Sequence, residues 1–322
     1  MTLRFVLAAV LFPAGAQEKG NWVPISEGVT SKVKAGWPGL TAGIAVDPAG
    51  GEVYMVVPNQ GLWKSADRGA TFERVDGGAI GGRCETGAAI SVDPAGGGRL
   101  ACFMLDGKSA LTLDGGKTWS GCSDKSRGFD YVAVDWTDPG ARRMFGVRHE
   151  SGEIGLLSGD SGATWKALDK PWKAFGVFDH DTLVTHRGQG IERSTDGGGT
   201  WARVSDLKPA GRVMVHFKGA GWWLGEKAIL ASRDKGATWA AQEMPFTGWF
   251  GPFFGRDERH FVVVGKEGFQ ETKDGGRTWA LAAPLPDVKD FNGPWFPNYA
   301  WDPRADVFYA SRMGKPAFRF QR

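Results

Sequence analysis

STDGGGTW, residues 194–201, is one of six segments built on a single pattern, Ser/Thr-x-Asp-x-Gly-x-Thr-Trp/Phe. The others are SADRGATF (65–72), TLDGGKTW (112–119), SGDSGATW (158–165), SRDKGATW (232–239) and TKDGGRTW (272–279). Their acidic residues, Asp67, Asp114, Asp160, Asp196, Asp234 and Asp274, follow one another at intervals of 47, 46, 36, 38 and 40. Each segment carries the chemistry of a tight turn. The Asp side chain can accept hydrogen bonds from the turn's own backbone, and the leading hydroxyl can steady it. Gly at the fifth position tolerates a positive φ that other residues resist. The closing aromatic can plug the gap between neighbouring sheets. Such a turn belongs between two antiparallel strands, and the spacing suits one four-stranded blade per repeat.

Working outward from the first box, the elements keep one order. An inner strand (41–46) ends at Asp47-Pro48, a second strand covers 53–57, a third 62–65, and an outer strand follows the box at 72–75. Asp-Pro recurs at Asp93-Pro94, Asp138-Pro139 and Asp302-Pro303, and the shorter fourth, fifth and sixth repeats lack it. After Asp302-Pro303 a seventh set is expected: an inner strand, a second strand at 307–311 and a third at 317–320, with no box and no fourth strand. GNWVPIS (20–26) resembles the tail of a box with its outer strand, Trp22 matching Phe72 and Ile25 matching Val75. The expected fold is therefore all-β, a seven-bladed β-propeller whose ring is closed by the N-terminal strand pairing in the last blade. Closure of this kind removes exposed sheet edges.

Composition agrees. There are 49 Gly and 15 Trp in 322 residues, and runs such as VYMVV (53–57) and FVVV (261–264) are β-branched or aromatic. No apolar run keeps helical spacing over three turns. Arg4, the apolar stretch from Phe5 to Phe12, Pro13 and Ala14-Gly15-Ala16 read as a signal peptide, residues 1–16, cleaved after Ala16. Residues 17–322 are then one propeller, secreted or periplasmic, expected to be a monomer. The apolar run is too short to span a bilayer as a helix, so no membrane span is expected. A net charge of +3 gives no case for a nucleic-acid partner. Cys84, Cys102 and Cys122 lie within one repeat, where one disulfide or three inert buried thiols are both open readings.

The six boxes resemble the Asp-box (BNR) repeat superfamily, which includes sialidases, xyloglucanase-type glycoside hydrolases, sortilin-type receptors and a photosystem II assembly factor. The resemblance covers nearly the whole chain after residue 16 and implies the propeller fold; the scaffold hosts unrelated activities. Sialidases also carry Phe-Arg-Ile-Pro, an arginine triad and a Tyr–Glu nucleophile pair. Here Phe-Arg occurs at Phe318-Arg319 alone, and there are four tyrosines, of which Tyr54 and Tyr309 fall in expected strands. Xyloglucanase-type enzymes use two facing propellers, and this chain has length for one. The resemblance thus implies a non-catalytic recognition or scaffold module for a glycan, peptide or protein partner, with a glycoside hydrolase as the alternative.

Chemistry-bearing motifs are few. The Gly-Asp-Ser-Gly of residues 159–162 mimics a serine-protease motif but is simply the third box. Phosphate-loop, metalloprotease and zinc spacings are absent, so neither a metal nor a cofactor is expected. The box aspartates are read as structural, on the face opposite the usual propeller ligand site. The informative face combines the loops entering each inner strand with those joining second and third strands. Its entry segments are aromatic: AGWPG with Trp37, GFDY with Tyr131, PWKAF with Trp172, GWFGPFF with Trp249 and Phe250, and NGPWFPNY with Trp295 and Tyr299. Such rings stack on sugars or grip peptide side chains, unless they pack inward at the hub. Arg83, Arg212, Asp290 and Asn292 are the polar groups expected beside them. Glu85 with Asp130 is the candidate acid/base pair, because both begin inner strands of adjacent blades and glycosidases need two carboxylates. Ion pairing with Arg83 or Arg127 is the structural alternative. His149 and His186 are expected on loops.

Overall fold

A computed structural model describes residues 20–84, 89–124, 128–291 and 297–322. Among them, seven four-stranded antiparallel sheets account for nearly all of the regular structure. Blades 1 to 6 span 43–74, 90–121, 129–171, 174–205, 215–243 and 248–283, each built from four consecutive strands. Blade 7 takes three strands from 297–321 and its fourth from Trp22–Pro24, which pairs antiparallel with Phe318–Gln321, Trp22 opposite Phe320.

The core is divided in seven. Hydrophobic clusters fill the interface between each pair of adjacent blades, and the seventh joins Ile44, Val53 and Met55 of blade 1 to Val307 and Tyr309 of blade 7. A sheet with two apolar faces buries both in this way, one against each neighbour. Polar seams reinforce the packing. The Asn298 side chain donates to Ala42 O across the blade 7–1 junction (2.7 Å), and Gly98 N donates to Asp47 Oδ2 across the blade 1–2 junction (2.9 Å).

The boxes form the turns between third and fourth strands, and their geometry is uniform. In the box of blade 4, Ser194 Oγ donates to Asp196 Oδ1 (2.7 Å) and accepts from Gly198 N (2.9 Å). Asp196 in turn accepts from Thr200 N (2.9 Å) and Thr200 Oγ1 (2.7 Å). The same set recurs at Asp67, Asp114, Asp160, Asp234 and Asp274. These bonds hold the carboxyls of Asp114, Asp196, Asp234 and Asp274 at about 2, below the usual 3.8. The fifth-position glycines sit at φ between +80° and +93°. The fourth position is also left-handed, even where it is Arg68, Ser161 or Lys235. Two successive positive φ values give the turn a twist that matches the flanking strands. The closing tryptophans tie blades together: Trp119 Nε1 donates to Val75 O of the preceding blade, and Trp165 Nε1 to Cys122 O (both 3.1 Å).

Four expectations need correction. GFDY and GWFGPFF are not entry loops, because Phe129–Val134 and Gly248–Phe254 are themselves inner strands. The inner strand of blade 7 is Pro297–Asp302, so it ends at Asp302-Pro303 instead of following it and takes in Tyr299. The third inner strand ends at Val134, just before buried Asp135, whose Oδ1 accepts from Thr137 N (3.0 Å), and Asp138-Pro139 lies in the turn that follows. His186 belongs to the strand Leu183–His186, where its Nδ1 is 2.9 Å from Gly190 O. The three cysteines are buried and not joined by a disulfide, and burial pushes the Cys102 and Cys122 thiols up, which makes those two poor nucleophiles. Among the described residues no helix is long and apolar enough to cross a membrane.

Candidate functional site

Antiparallel order puts the box turns and the first-to-second-strand turns at one end of every blade. The entry segments and second-to-third-strand loops therefore share the opposite face. A cleft of about 390 Å³ opens on that face between blades 2 and 3, lined by Arg83, Asp106, Asp124, His149 and Glu150 among others. Its walls are ion pairs. Arg83 Nε lies 3.1 Å from Asp106 Oδ2, and Arg148 Nε lies 2.8 Å from Asp124 Oδ2. At the rim, the Trp37 indole is 68% exposed and carries the Arg83 guanidinium 4.7 Å above its ring. A cation held on an exposed aromatic face leaves the other face open for a ligand.

Asp130 owes its position to a β-bulge. The register between the first two strands of blade 3 shifts between Phe129 and Tyr131, and Asp130 is the extra residue. Its Oδ1 lies 2.7 Å from Nδ1 of His149 in the next loop. Burial raises the Asp130 carboxyl above its ordinary value, against the lowering effect of His149. His149 was the partner that sequence reasoning missed, together with Asp106, Asp124 and Arg148. Their one signal was position, since Asp106, Arg148 and His149 flank second-to-third-strand loops and Asp124 an entry segment.

The remaining candidates separate by environment. Tyr131, Trp172 and Tyr299 are buried between blades and do not line the face. Tyr131 lies against Phe175 beneath Arg212 (5.5 Å) and burial pushes its hydroxyl up to about 12. Trp172 packs on Phe145 and Trp201 under Arg187, and Tyr299 donates its hydroxyl to Phe291 O (2.9 Å). Trp249 and Phe250 are half-buried, Phe250 edge-on to Tyr299. Arg212 pairs with Glu153 (3.2 Å) and Asp290 with Lys315 (3.6 Å). Glu85, Arg127, Asn292 and Trp295 lie outside the described residues. The structure thus brings Trp37, Arg83 and Asp130 toward one cleft and withdraws three of the rings into the core.

Solved structures share this architecture. YCF48 bound to D1 peptide superposes with a TM-score of 0.54 at 15% identity, over 95% of this chain and 99% of that one. An ancestral GH74 enzyme gives 0.52 at 15% identity over 92% of this chain, which spans 46% of that protein. U3-55K gives 0.58 at 8% identity over 96% and 100% of the two chains. At such identities the likeness is one of fold alone. No protein-family profile and no curated sequence matches the chain.

Proposed function

We propose that this chain is a non-catalytic recognition propeller that grips a peptide or protein segment on the face opposite its boxes. Trp37 and Arg83 serve as the anchor, and the cleft between blades 2 and 3 as the polar slot. The observation that carries the reading is the exposed Trp37 ring with Arg83 stacked on it at the rim of a cleft lined by charged pairs. Aromatic and arginine side chains dominate binding energy where they anchor a partner. A fold neighbour was solved with a peptide bound, which supports a peptide over a glycan.

Glycoside hydrolysis is disfavoured by the pairing on this face. Asp106 faces Arg83, Asp124 faces Arg148 and Glu153 faces Arg212. A general acid must keep its proton near neutrality, and these cations oppose that; Asp130, raised by burial, is the carboxyl that the glycoside panel tests. Export through residues 1–16 is part of the same proposal and predicts a mature chain beginning at Gln17.

The test is an array of immobilised peptides probed with the purified protein, alongside a panel of nitrophenyl glycosides. Peptide binding that falls at least about tenfold in Trp37→Ala, with unchanged thermal stability, is the expected result. Glycoside turnover abolished by Asp130→Asn would overturn it in favour of the hydrolase.

A further inference from the structure

On the box face, Arg143 stands apart from every other cation. It is 9% exposed, the one Arg or Lys among the described residues buried to that degree. It leads into the second strand of blade 3 and reaches across to blade 4, where its Nε donates to His180 O (2.7 Å). A second nitrogen, Nη2, lies 3.2 Å from His180 Nε2, and a Cβ placed on Gly197 would come within 2.9 Å of the same Nη2. The guanidinium therefore sits beside the box of blade 4. His180 Nδ1 is 2.8 Å from Asp181 Oδ1, which puts the ring proton there and makes Nε2 the acceptor.

Every hydrogen bond of this guanidinium goes to a neutral acceptor, and no described carboxylate stands within ion-pair distance. A buried cation with no carboxylate in contact is only partly compensated. Burial lowers the Arg143 pKa and outweighs the more distant charges of Asp181 and Asp135, which act to raise it. The group borders a groove of about 360 Å³ between blades 3 and 4, whose lining includes Lys166, Asp196 and Gly197–Gly199. Lys166 is exposed and forms no ion pair with a described carboxylate. Asp196 is the one acidic side chain there, and its oxygens are already engaged by Ser194 and Thr200.

We infer that this groove is an oxyanion site, in which a phosphate or sulfate group bridges the free N–H groups of Arg143 and the ammonium of Lys166. The planar fork supplies directed donors and the lysine a mobile point charge, the combination that suits a tetrahedral anion. The site lies on the face opposite the peptide cleft and stands independently of it. The group can arrive as a free ion or on a larger molecule.

Calorimetric titration and thermal unfolding with inorganic phosphate and with O-phosphoserine, at fixed ionic strength, test this. Saturable binding of either, with a rise in Tm, is expected. Arg143→Met should abolish binding, and Lys166→Met, a surface change that leaves folding intact, should weaken it about tenfold. Similar affinity for both ligands identifies a free-ion site, and tighter phosphoserine a phosphorylated partner; each supports the site. Absence of binding by both ligands overturns the inference. So does affinity unchanged in Lys166→Met, whether or not Arg143→Met folds.

Discussion

Glu271→Gln tests how firmly the last two blades are held. Glu271 lies on the third strand of blade 6 with a side chain 6% exposed. It accepts from His260 Nε2 (2.8 Å) and from Arg322 Nη1 (2.8 Å) and Nη2 (3.1 Å), and Lys273 stands 3.6 Å away. Arg322 belongs to the blade 7 side and also binds Asp306 (2.6 Å), so the carboxylate pins two blades together. Burial pushes this carboxyl up, but the hydrogen bonds from Arg322 and His260 and the charges of Arg322 and Lys273 outweigh it and hold it at about 2, against an ordinary 4.5. That difference corresponds to roughly 3 kcal/mol at about 1.4 kcal/mol per pH unit. Arg322 is 34% exposed and Lys273 67%, so solvent screening reduces the expected figure to about 1–2 kcal/mol.

The sign follows from the lowered folded-state value. The contribution is present in full above the unfolded pKa near 4.5 and is lost as pH falls from there toward about 2. Urea unfolding of wild type and Glu271→Gln between pH 7 and pH 3 should show the mutant less stable by about 1–2 kcal/mol at pH 7. More than half of that gap should be gone at pH 3. Taking the difference between the two proteins cancels the acid response of the box aspartates. A gap that stays constant down to pH 3 would refute the assignment of Glu271 as an ionised tie between blades.

Two further outcomes follow from the packing. Trp223→Ala removes a fully buried indole from the blade 4–5 interface, together with its bond to Gly211 O (2.9 Å), and should cost about 3–5 kcal/mol by chemical denaturation. Ser232→Ala leaves the buried Gly236 N–H without its 2.8 Å acceptor and should cost about 1–2 kcal/mol while preserving the circular dichroism of the native sheet.

Local chemistry made the blade count legible. A box needs only its own eight residues to form, so Asp196 binding Thr200 and Ser194 is written into STDGGGTW whatever surrounds it. The strand order repeats for the same reason, and even the incomplete last set could be matched to residues 20–26. The cleft was harder to read. Trp37 was recognisable as a candidate because it sits in a Gly- and Pro-flanked loop, where no strand alternation dictates its burial.

Only the assembled ring decided which other aromatic side chains meet solvent. Strand alternation would place Trp249, Phe250, Phe253 and Phe254 on predictable sides, but two register shifts in Gly248–Phe254 break that period. Tyr131 and Trp172 look like surface rings in sequence, yet the neighbouring blade covers them. The charges of the cleft likewise come from loops of different strands and blades, Asp130 meeting His149 and Arg83 meeting Asp106 only after the sheets close. Turn formation depends on neighbours along the chain, so the sequence carries it; burial and ion pairing depend on neighbours in space, which only the tertiary structure supplies.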